Sequence, residues 1–273
     1  LLTNGTRFKY VRHDINRGAG AARNTGIKNA AGEYIALLDS DDEWLPEKLE
    51  KQLQVFKEAR DEKLGAVYSG VVYIKEKDNQ KIDEHMPKRR GYIFKDFLRR
   101  CCIHGGPGVF LIRKEVFDKC GLFDECGELR IADDYEMWVR ISKDYKFDFV
   151  NAILTRCYRH DVSITAAMTE YDRAIADEYV VNKFREDYER VPKILSLKLC
   201  GIASLYCRGG DVNKGRKMFL ESIGANPLNI RNYPNLFLSY FGSSFYRKIF
   251  NFSLIFRKGF SYTRRRNDMH RGF

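Results

Sequence analysis

Over its first 165 residues the chain alternates short apolar runs with polar segments at helical spacing. Arg7–His13 alternates loosely and predicts a strand, and Asn16-Arg17-Gly18-Ala19-Gly20 reads as a turn into a helix over 21–30. Tyr34–Leu38 is a continuous apolar run, the mark of a buried strand in a parallel sheet. Pro46 suits a first helical turn, and Leu49, Leu53 and Phe56 form the stripe of the helix that follows. A strand over 66–74, a polar stretch to Arg90, a helix over 93–100 and a strand over 109–112 come next. Beyond them a short helix to Lys119, a turn over 121–128, a helix over 133–143 and a strand over 147–154 continue the alternation. Such alternation predicts an α/β fold with a mainly parallel sheet. From about Thr169 the chain turns helical, with a helix pair over 199–224, so domains are expected at 1–168 and 169–230, followed by a tail at 231–273.

Asp39-Ser40-Asp41-Asp42 closes the Tyr34–Leu38 run. Buried carboxylates need charge partners, and ligands of open α/β sheets sit at the carboxyl ends of strands. A divalent cation bridging to a phosphate fits, because hard cations take carboxylate and phosphate oxygens. Part of the cluster has a plainer use: Asp42 and Glu43 are expected to cap the next helix, where negative charge favours the dipole. Gly18-x-Gly20-x-x-Arg23 also imitates a dinucleotide fingerprint, with Asp39 at ribose-binding distance. Arg23 stands where that fingerprint wants a third glycine, and one acid suffices for a ribose.

Composition narrows the setting. Seven cysteines with no C-x-x-C pair or zinc spacing read as reduced thiols of a cytoplasmic protein. No apolar stretch reaches the 18 or so residues of a membrane span. Residues 231–273 carry nine Lys/Arg against Asp268 alone, a charge of +8 out of +11 for the whole chain. Phe245, Ile249, Phe252 and Phe256 fall on one helical stripe there, with Arg247, Asn251 and Lys258 opposite. Basic, aromatic amphipathic helices lie in membrane interfaces, so an anionic membrane surface is the expected partner, on its cytoplasmic face. Packing on the folded body is the plain alternative for this helix. Arg264-Arg265-Arg266 comes without a recognition module, and nucleic acid is not expected.

The run Asn16–Gly26, then Gly32–Asp42, resembles the inverting family-two glycosyltransferases of the GT-A fold. Gly121-Leu122-Phe123-Asp124-Glu125 followed by Ala132-Asp133-Asp134-Tyr135-Glu136-Met137-Trp138 resembles that family's second signature, and the likeness covers about residues 7–165. It implies a Rossmann-like GT-A sheet flanked by helices, a nucleoside diphosphate sugar as donor, a saccharide or lipid-linked acceptor, and Mn²⁺ or Mg²⁺ as cofactor. Asp39, Ser40 and Asp41 match the D-x-D element, in which the last Asp binds the metal and the first faces the nucleotide. Arg23 matches a donor-site arginine. Asp134 matches the catalytic base, and Asp133 takes the place of the usual Glu beside it. Family members begin with a strand and a glycine/aspartate-rich loop for the nucleotide base; the chain shows neither, so a βα unit of about 30 residues is expected upstream.

On its own chemistry, Asp134 lies in the first turn of a helix, where the macrodipole is expected to favour its ionised form for accepting a proton. His160, 26 residues further on, is a candidate metal ligand through its neutral imidazole. Trp138, Val139 and Ile141 read as core. A metal-dependent transferase of cell-surface polysaccharide or glycolipid synthesis is the leading expectation. A sugar-nucleotidyltransferase, a dinucleotide-binding Rossmann enzyme and a non-catalytic membrane-associated scaffold remain as alternatives.

Overall fold

The computed structural model describes residues 9–129, 132–159 and 167–252. The chain divides into two compact units, Leu1–Ala167 and Met168–Phe273. In the first, strands β1 (Tyr34–Ala36), β2 (Asp42–Trp44), β3 (Leu64–Lys75), β4 (Gln80–His85), β5 (Phe110–Arg113) and β6 (Lys146–Arg159) form one sheet. Helices α1 (Gly18–Asn29), α2 (Lys48–Ala59), α3 (Phe94–Arg99), α4 (Lys114–Cys120) and α5 (Asp133–Asp144) flank it.

Strand order is β1-β5-β3-β6-β2, with β4 paired to β3. The longest ladder, β3 with β6, is parallel and forms the centre of the sheet, running from Leu64↔Lys146 to Lys75↔Arg159. The shorter pairings at its flanks (β1–β5, β3–β5, β3–β4 and β2–β6) are antiparallel. The sheet is therefore mixed around a parallel core. The first eight residues of β3 are buried, as an apolar run covered on both faces should be. Trp138, Val139 and Ile141 of α5 are buried as expected, and the Trp138 ring packs against Phe110 of β5 with centroids 4.1 Å apart and planes tilted by 33°.

Five sequence expectations change. Tyr34–Leu38 is not a buried parallel strand: β1 stops at Ala36, lies at the sheet edge antiparallel to β5 and buries only Ile35, while Leu38 is 46% exposed. Residues 9–13, the described part of the expected first strand, are not in the sheet; they lie along α1, where His13 Nε2 is 2.8 Å from Thr25 Oγ1. Asp42 and Glu43 do not cap a helix. They pair with β6, Asp42 opposite Cys157 and Glu43 opposite Arg156, and α2 starts only at Lys48. The polar stretch after β3 is a hairpin whose second strand, β4, is mostly exposed, so no apolar pattern announces it. Finally, α2 buries Lys48, Gln52 and Phe56 while Leu49 is exposed. Polarity misleads there because Gln52 Nε2 donates to the carbonyls of Val67 (2.9 Å) and Val109 (2.8 Å), and Lys48 donates to Gln52 Oε1 (2.9 Å). Buried polar groups are tolerated when bonded this way. With no carboxylate partner among the described residues, burial pushes the Lys48 ammonium down to about 7.

The second unit is helical: α6 (Glu170–Lys183), α7 (Arg185–Glu189), α8 (Pro192–Gly209), α9 (Val212–Ala225) and α10 (Asn232–Ser239), then helical turns over 243–252. A capping box between Thr169 and Asp172 starts α6. Asn232, Ser239 and Tyr246 are buried, and the Tyr246 hydroxyl donates to Asn235 Oδ1 at 2.7 Å. The basic segment thus packs into this unit through Tyr246 and Phe250, whereas Ile249 and Phe252 are exposed; Phe256 and the arginine run lie outside the described residues.

Candidate active site

The site assembles from three chain segments. The Asn16 side chain accepts the Gly18 amide at 2.9 Å, a local turn that starts α1. One and a half turns later Arg23 leaves the same helix. Its guanidinium donates through Nη2 to both oxygens of Asp39 (2.9 and 3.1 Å) and through Nη1 to Asp133 Oδ2 (2.9 Å). Side-chain exposure is 14% for Arg23, 13% for Asp133 and 38% for Asp39. The buried Nε of Arg23 has no partner among the described residues. Burial works against the charge of Arg23, but Asp39 and Asp133 outweigh it and hold the group above its ordinary pKa.

Gly20 makes this approach possible. A Cβ added there would lie 3.3 Å from Asp133 Oδ2 and 3.5 Å from the Asp124 carbonyl. Asn24, one turn along α1, donates to the Phe123 carbonyl (2.8 Å) and accepts the Phe123 amide (2.8 Å), which fastens loop 121–125 to the helix. From the other side Arg140 grips the buried Glu136 (2.7 and 2.9 Å) and the Leu122 carbonyl (2.9 Å). A cleft of about 330 Å³ lies between Asn16–Ala21 and Asp124–Gly127, with Asp133 in its lining. A larger groove, about 910 Å³, runs along Lys9–Gly18 and α1 and contains none of Asp39, Asp133 and Asp134.

Asp133 and Asp134 open α5. Amides of the same turn serve them: Asp134 N donates to Asp133 Oδ1 (2.9 Å) and Tyr135 N to Asp134 Oδ1 (2.7 Å). Burial raises the Asp134 carboxyl to about 6, helped by the charges of Asp133 and Asp39; the Tyr135 amide and Arg23 oppose the shift. The expectation that the helix dipole keeps Asp134 easily ionised is thereby corrected. Desolvation and a neighbouring carboxylate outweigh the dipole. Asp133 is also raised, again first by burial, with Arg23 as the main counterweight. Facing Asp134 is the loop Gly105-Gly106, both with positive φ (99° and 58°), where a Cβ on Gly106 would lie 3.9 Å from Asp134 Oδ2.

Arg23, Asp39, Asp133 and Asp134 are therefore brought together. Ser40 and Asp41 sit exposed at the turn between β1 and β2. Asp42 turns the other way and accepts from Cys157 Sγ at 3.2 Å; burial raises its carboxyl and pushes the thiol up. His160 lies outside the described residues. Among the described residues no group of three His, Cys, Asp or Glu side chains is arranged to hold a metal by itself. Sequence reasoning missed the close approach at Gly20, the Asn24 staple, the Glu136–Arg140 clamp and the Gly106 loop. The first signature contains Gly20 and Asn24, but only the fold brings their partners from about 100 residues away.

Residues 1–121 match the family profile described as Glycosyl transferase family 2. They belong to that family. An uncharacterized glycosyltransferase of Methanocaldococcus jannaschii is 33% identical over 157 residues, 55% of this chain and 50% of that protein. One from Rickettsia typhi is 34% identical over 168 residues, 60% of this chain and 51% of its own length. An Escherichia coli protein named UDP-Glc:alpha-D-GlcNAc-diphosphoundecaprenol beta-1,3-glucosyltransferase is 28% identical over 146 residues, 54% of this chain and 53% of that protein. The chain spans about half the length of these curated relatives. Staphylococcus aureus TarS 1–349, crystallised with UDP-GlcNAc, superposes with a TM-score of 0.59 at 14% identity, covering 92% of this chain and 75% of that one. The likeness extends to the GT-A fold. Within this family 2 domain, Arg23 occupies the third-glycine position of the apparent dinucleotide fingerprint and pairs with the very acid, Asp39, that a ribose would need.

Proposed function

We propose that the chain is a metal-dependent inverting glycosyltransferase that moves one sugar from a nucleoside diphosphate donor to an acceptor hydroxyl in cell-surface polysaccharide or glycolipid synthesis. The observation that carries the reading is Arg23 tying Asp39 to Asp133 beside Asp134, whose carboxyl is raised to about 6. A base with a pKa near the working pH is largely ionised at pH 7 yet still takes a proton well. Asp134 would accept the hydroxyl proton as the acceptor oxygen attacks the anomeric carbon from the side opposite the leaving diphosphate. The carbon–oxygen bond to the diphosphate breaks as the new one forms, and the configuration inverts. Arg23 would place Asp39 toward the nucleotide and keep Asp133 from competing for the proton. The named activity of the E. coli relative, which uses UDP-Glc, supports a nucleoside diphosphate donor.

The donor atoms near the site fit a hard cation only in part. Asp41 and Asp39 offer carboxylate oxygens, and no third protein ligand joins them among the described residues. Mg²⁺ commonly takes one or two carboxylates and completes its shell with substrate phosphates and water. Asp41 would hold Mn²⁺ or Mg²⁺ with the donor's phosphates, and the ion would neutralise charge on the leaving group. Asp41→Asn should abolish the Mn²⁺-dependent part of UDP binding by calorimetry. Metal-dependent affinity equal to the parent would remove Asp41 from this role.

Peripheral attachment to the inner face of a membrane completes the proposal. No helix among the described residues is long and apolar enough to cross a membrane. Phe237, Phe241 and Phe245 are 63%, 55% and 42% exposed and form a ring ladder at 5.2 and 5.3 Å. Each basic residue near an anionic surface contributes about 1 kcal/mol, and the aromatic face adds apolar burial. Because Tyr246 is part of the unit's interior, the truncation that tests this removes only 253–273, and Phe237, Phe241 and Phe245 are changed to Ser separately. Both changes should weaken co-sedimentation with phosphatidylserine vesicles, and added salt should weaken the parent. A parent chain that ignores these vesicles ends the membrane reading.

A further inference from the structure

Three consecutive carbonyls follow the glycine loop that faces Asp134, and a different side chain of β2 or α2 holds each of them. Trp44 Nε1 donates to the Gly108 carbonyl at 2.8 Å, Gln52 Nε2 to that of Val109 at 2.8 Å, and Lys48 Nζ to that of Phe110 at 3.4 Å. Lys48 also donates to Gln52 Oε1 at 2.9 Å and lies 4.3 Å from the centre of the Trp44 ring, so the three side chains form one cluster. At the start of the same loop the Tyr73 hydroxyl accepts the Gly105 amide at 3.0 Å. The loop itself is closely packed. A Cβ on Gly105 would run into Val109 Cγ1 and lie 3.1 Å from Val71 Cβ, while one on Gly106 would lie 3.9 Å from Asp134 Oδ2.

Lys48 and Gln52 are fully buried, and an amine is a costly choice for such a position. The partners of Lys48 among the described residues are an amide oxygen, a carbonyl and a ring face. Burial lowers its ammonium to about 7, so it serves more as an N–H donor than as a fixed charge. Methionine would fill much of the same volume without that cost, which points to a use for the bonds. The cluster stands where two parts of the site meet. β2 begins directly after Asp41, and Asp42 Oδ2 would lie 3.6 Å from a Cβ on Gly108. The turn that offers Asp41 and the loop that faces Asp134 therefore hang on the same short strand and helix.

We propose that Trp44, Lys48 and Gln52 are positioning residues of the transfer reaction: through the carbonyls of Gly108, Val109 and Phe110 they fix the Gly105-Gly106 loop against Asp134 and set its spacing from the Asp41 turn. This rests on the glycosyltransferase reading above and adds to it residues that act through the loop. Gly105 and Gly106 both have positive φ and carry no side chains to brace their own backbone, so the bracing comes from β2 and α2. In-line displacement needs base, anomeric carbon and leaving group at set distances, and a misplacement of about 1 Å costs on the order of 10²-fold in rate. The loop also keeps water from one side of Asp134. The other groups acting on that carboxyl, Asp133 and Asp39 in one direction, Arg23 and the Tyr135 amide in the other, lie outside the cluster.

The test uses the full chain and three variants. Trp44→Phe removes one N–H and keeps a ring, and Lys48→Met removes the amine and keeps the stem. Phe56→Leu is the control: Phe56 is buried on α2 against Tyr34, with ring centres 4.8 Å apart, and bonds to none of the three carbonyls. Hydrogen exchange of segment 104–110 should quicken about tenfold in either cluster variant, the effect of losing about one hydrogen bond, and stay at the parent rate in the control. In carbon NMR of chains labelled at the aspartate carboxyls, Asp134 is identified by its absence from Asp134→Asn. It should titrate below about 6 in the cluster variants, where water reaches it, and near 6 in the control. With UDP-glucose as donor probe and water as acceptor, kcat should fall about tenfold in the cluster variants at unchanged KM. Where one cluster variant fails to fold, the other decides. Parental exchange and titration in the cluster variants would overturn the proposal, and so would equal changes in Phe56→Leu, which would reduce the cluster to a brace of the fold. A raised KM at unchanged kcat would also overturn it, by placing the cluster in donor binding. A parent that neither binds UDP nor hydrolyses UDP-glucose counts against the glycosyltransferase reading, while exchange and the Asp134 titration still decide whether the cluster governs the loop.

Discussion

Asp134→Asn should lower sugar transfer by about 10²–10⁴-fold, the usual share of general-base catalysis, with UDP affinity close to the parent's. The amide keeps the shape and the bond from Tyr135 N but cannot accept the proton. In the parent, kcat/KM should fall as pH drops through about 6, where the Asp134 carboxyl protonates, and this limb should vanish from the variant's residual rate. The same substitution should stabilise the fold. In the folded chain the carboxyl titrates near 6 against an ordinary 3.8, so the folded state holds the proton more tightly than the unfolded state. Stability tied to that proton is fully present below about 3.8 and lost as pH rises through about 6. Above that, keeping Asp134 ionised costs about 3 kcal/mol at roughly 1.36 kcal/mol per pKa unit. Asn carries no such cost, so the variant should unfold at a higher temperature than the parent at pH 8, with the gap closing toward pH 4. Near-parental turnover would remove Asp134 as the base, and a variant less stable than the parent at pH 8 would contradict the electrostatic account.

How the sequence announced this site, and where it fell silent, follows from chemistry that is local in one case and tertiary in the other. The acids after Tyr34–Leu38 could be read directly, because carboxylates gathered at a strand's end need partners there; the apolar run itself overstated its burial, since β1 is an edge strand that buries only Ile35. The partner of Asp39 could not be derived from spacing, since Arg23 and Asp39 are 16 residues apart and meet only through the turn after α1. Polar burial was hidden for the same reason. Nothing around Lys48 or Gln52 distinguishes an exposed helix face from one whose amide closes the carbonyls of Val67 and Val109. The short strand β2 was masked by its composition: Asp42-Glu43-Trp44 reads as a cap until β6 is beside it. β4 was masked by exposure. The helix opening on Asp133 and Asp134 was legible, but the sign of the pKa shift was not, because burial is a property of the folded surroundings and not of position along a helix.

Arg23→Met should destabilise the first unit by about 3 kcal/mol, the lower end of the cost of breaking a buried ion pair, because Asp39 is 38% exposed and water can partly replace its partner. Asp133, at 13% exposure, has less recourse to water and carries most of the loss. The change also reaches the reaction. Arg23 is among the groups that lower the Asp134 pKa, so removing its charge should move the acid limb of kcat/KM above pH 6. Methionine fills much of the same volume, which separates the charge effect from a cavity. Arg23→Lys retains the charge but offers one ammonium where the guanidinium bonds two carboxylates through separate nitrogens, so its stability and its pH limb should both fall between those of the parent and Arg23→Met. Urea unfolding at pH 7 and a pH–rate profile for the three proteins check the pair of effects together. If stability drops while the limb stays near pH 6, Arg23 braces the fold without tuning the base; if neither moves, the Asp39–Arg23–Asp133 bridge carries no weight in solution.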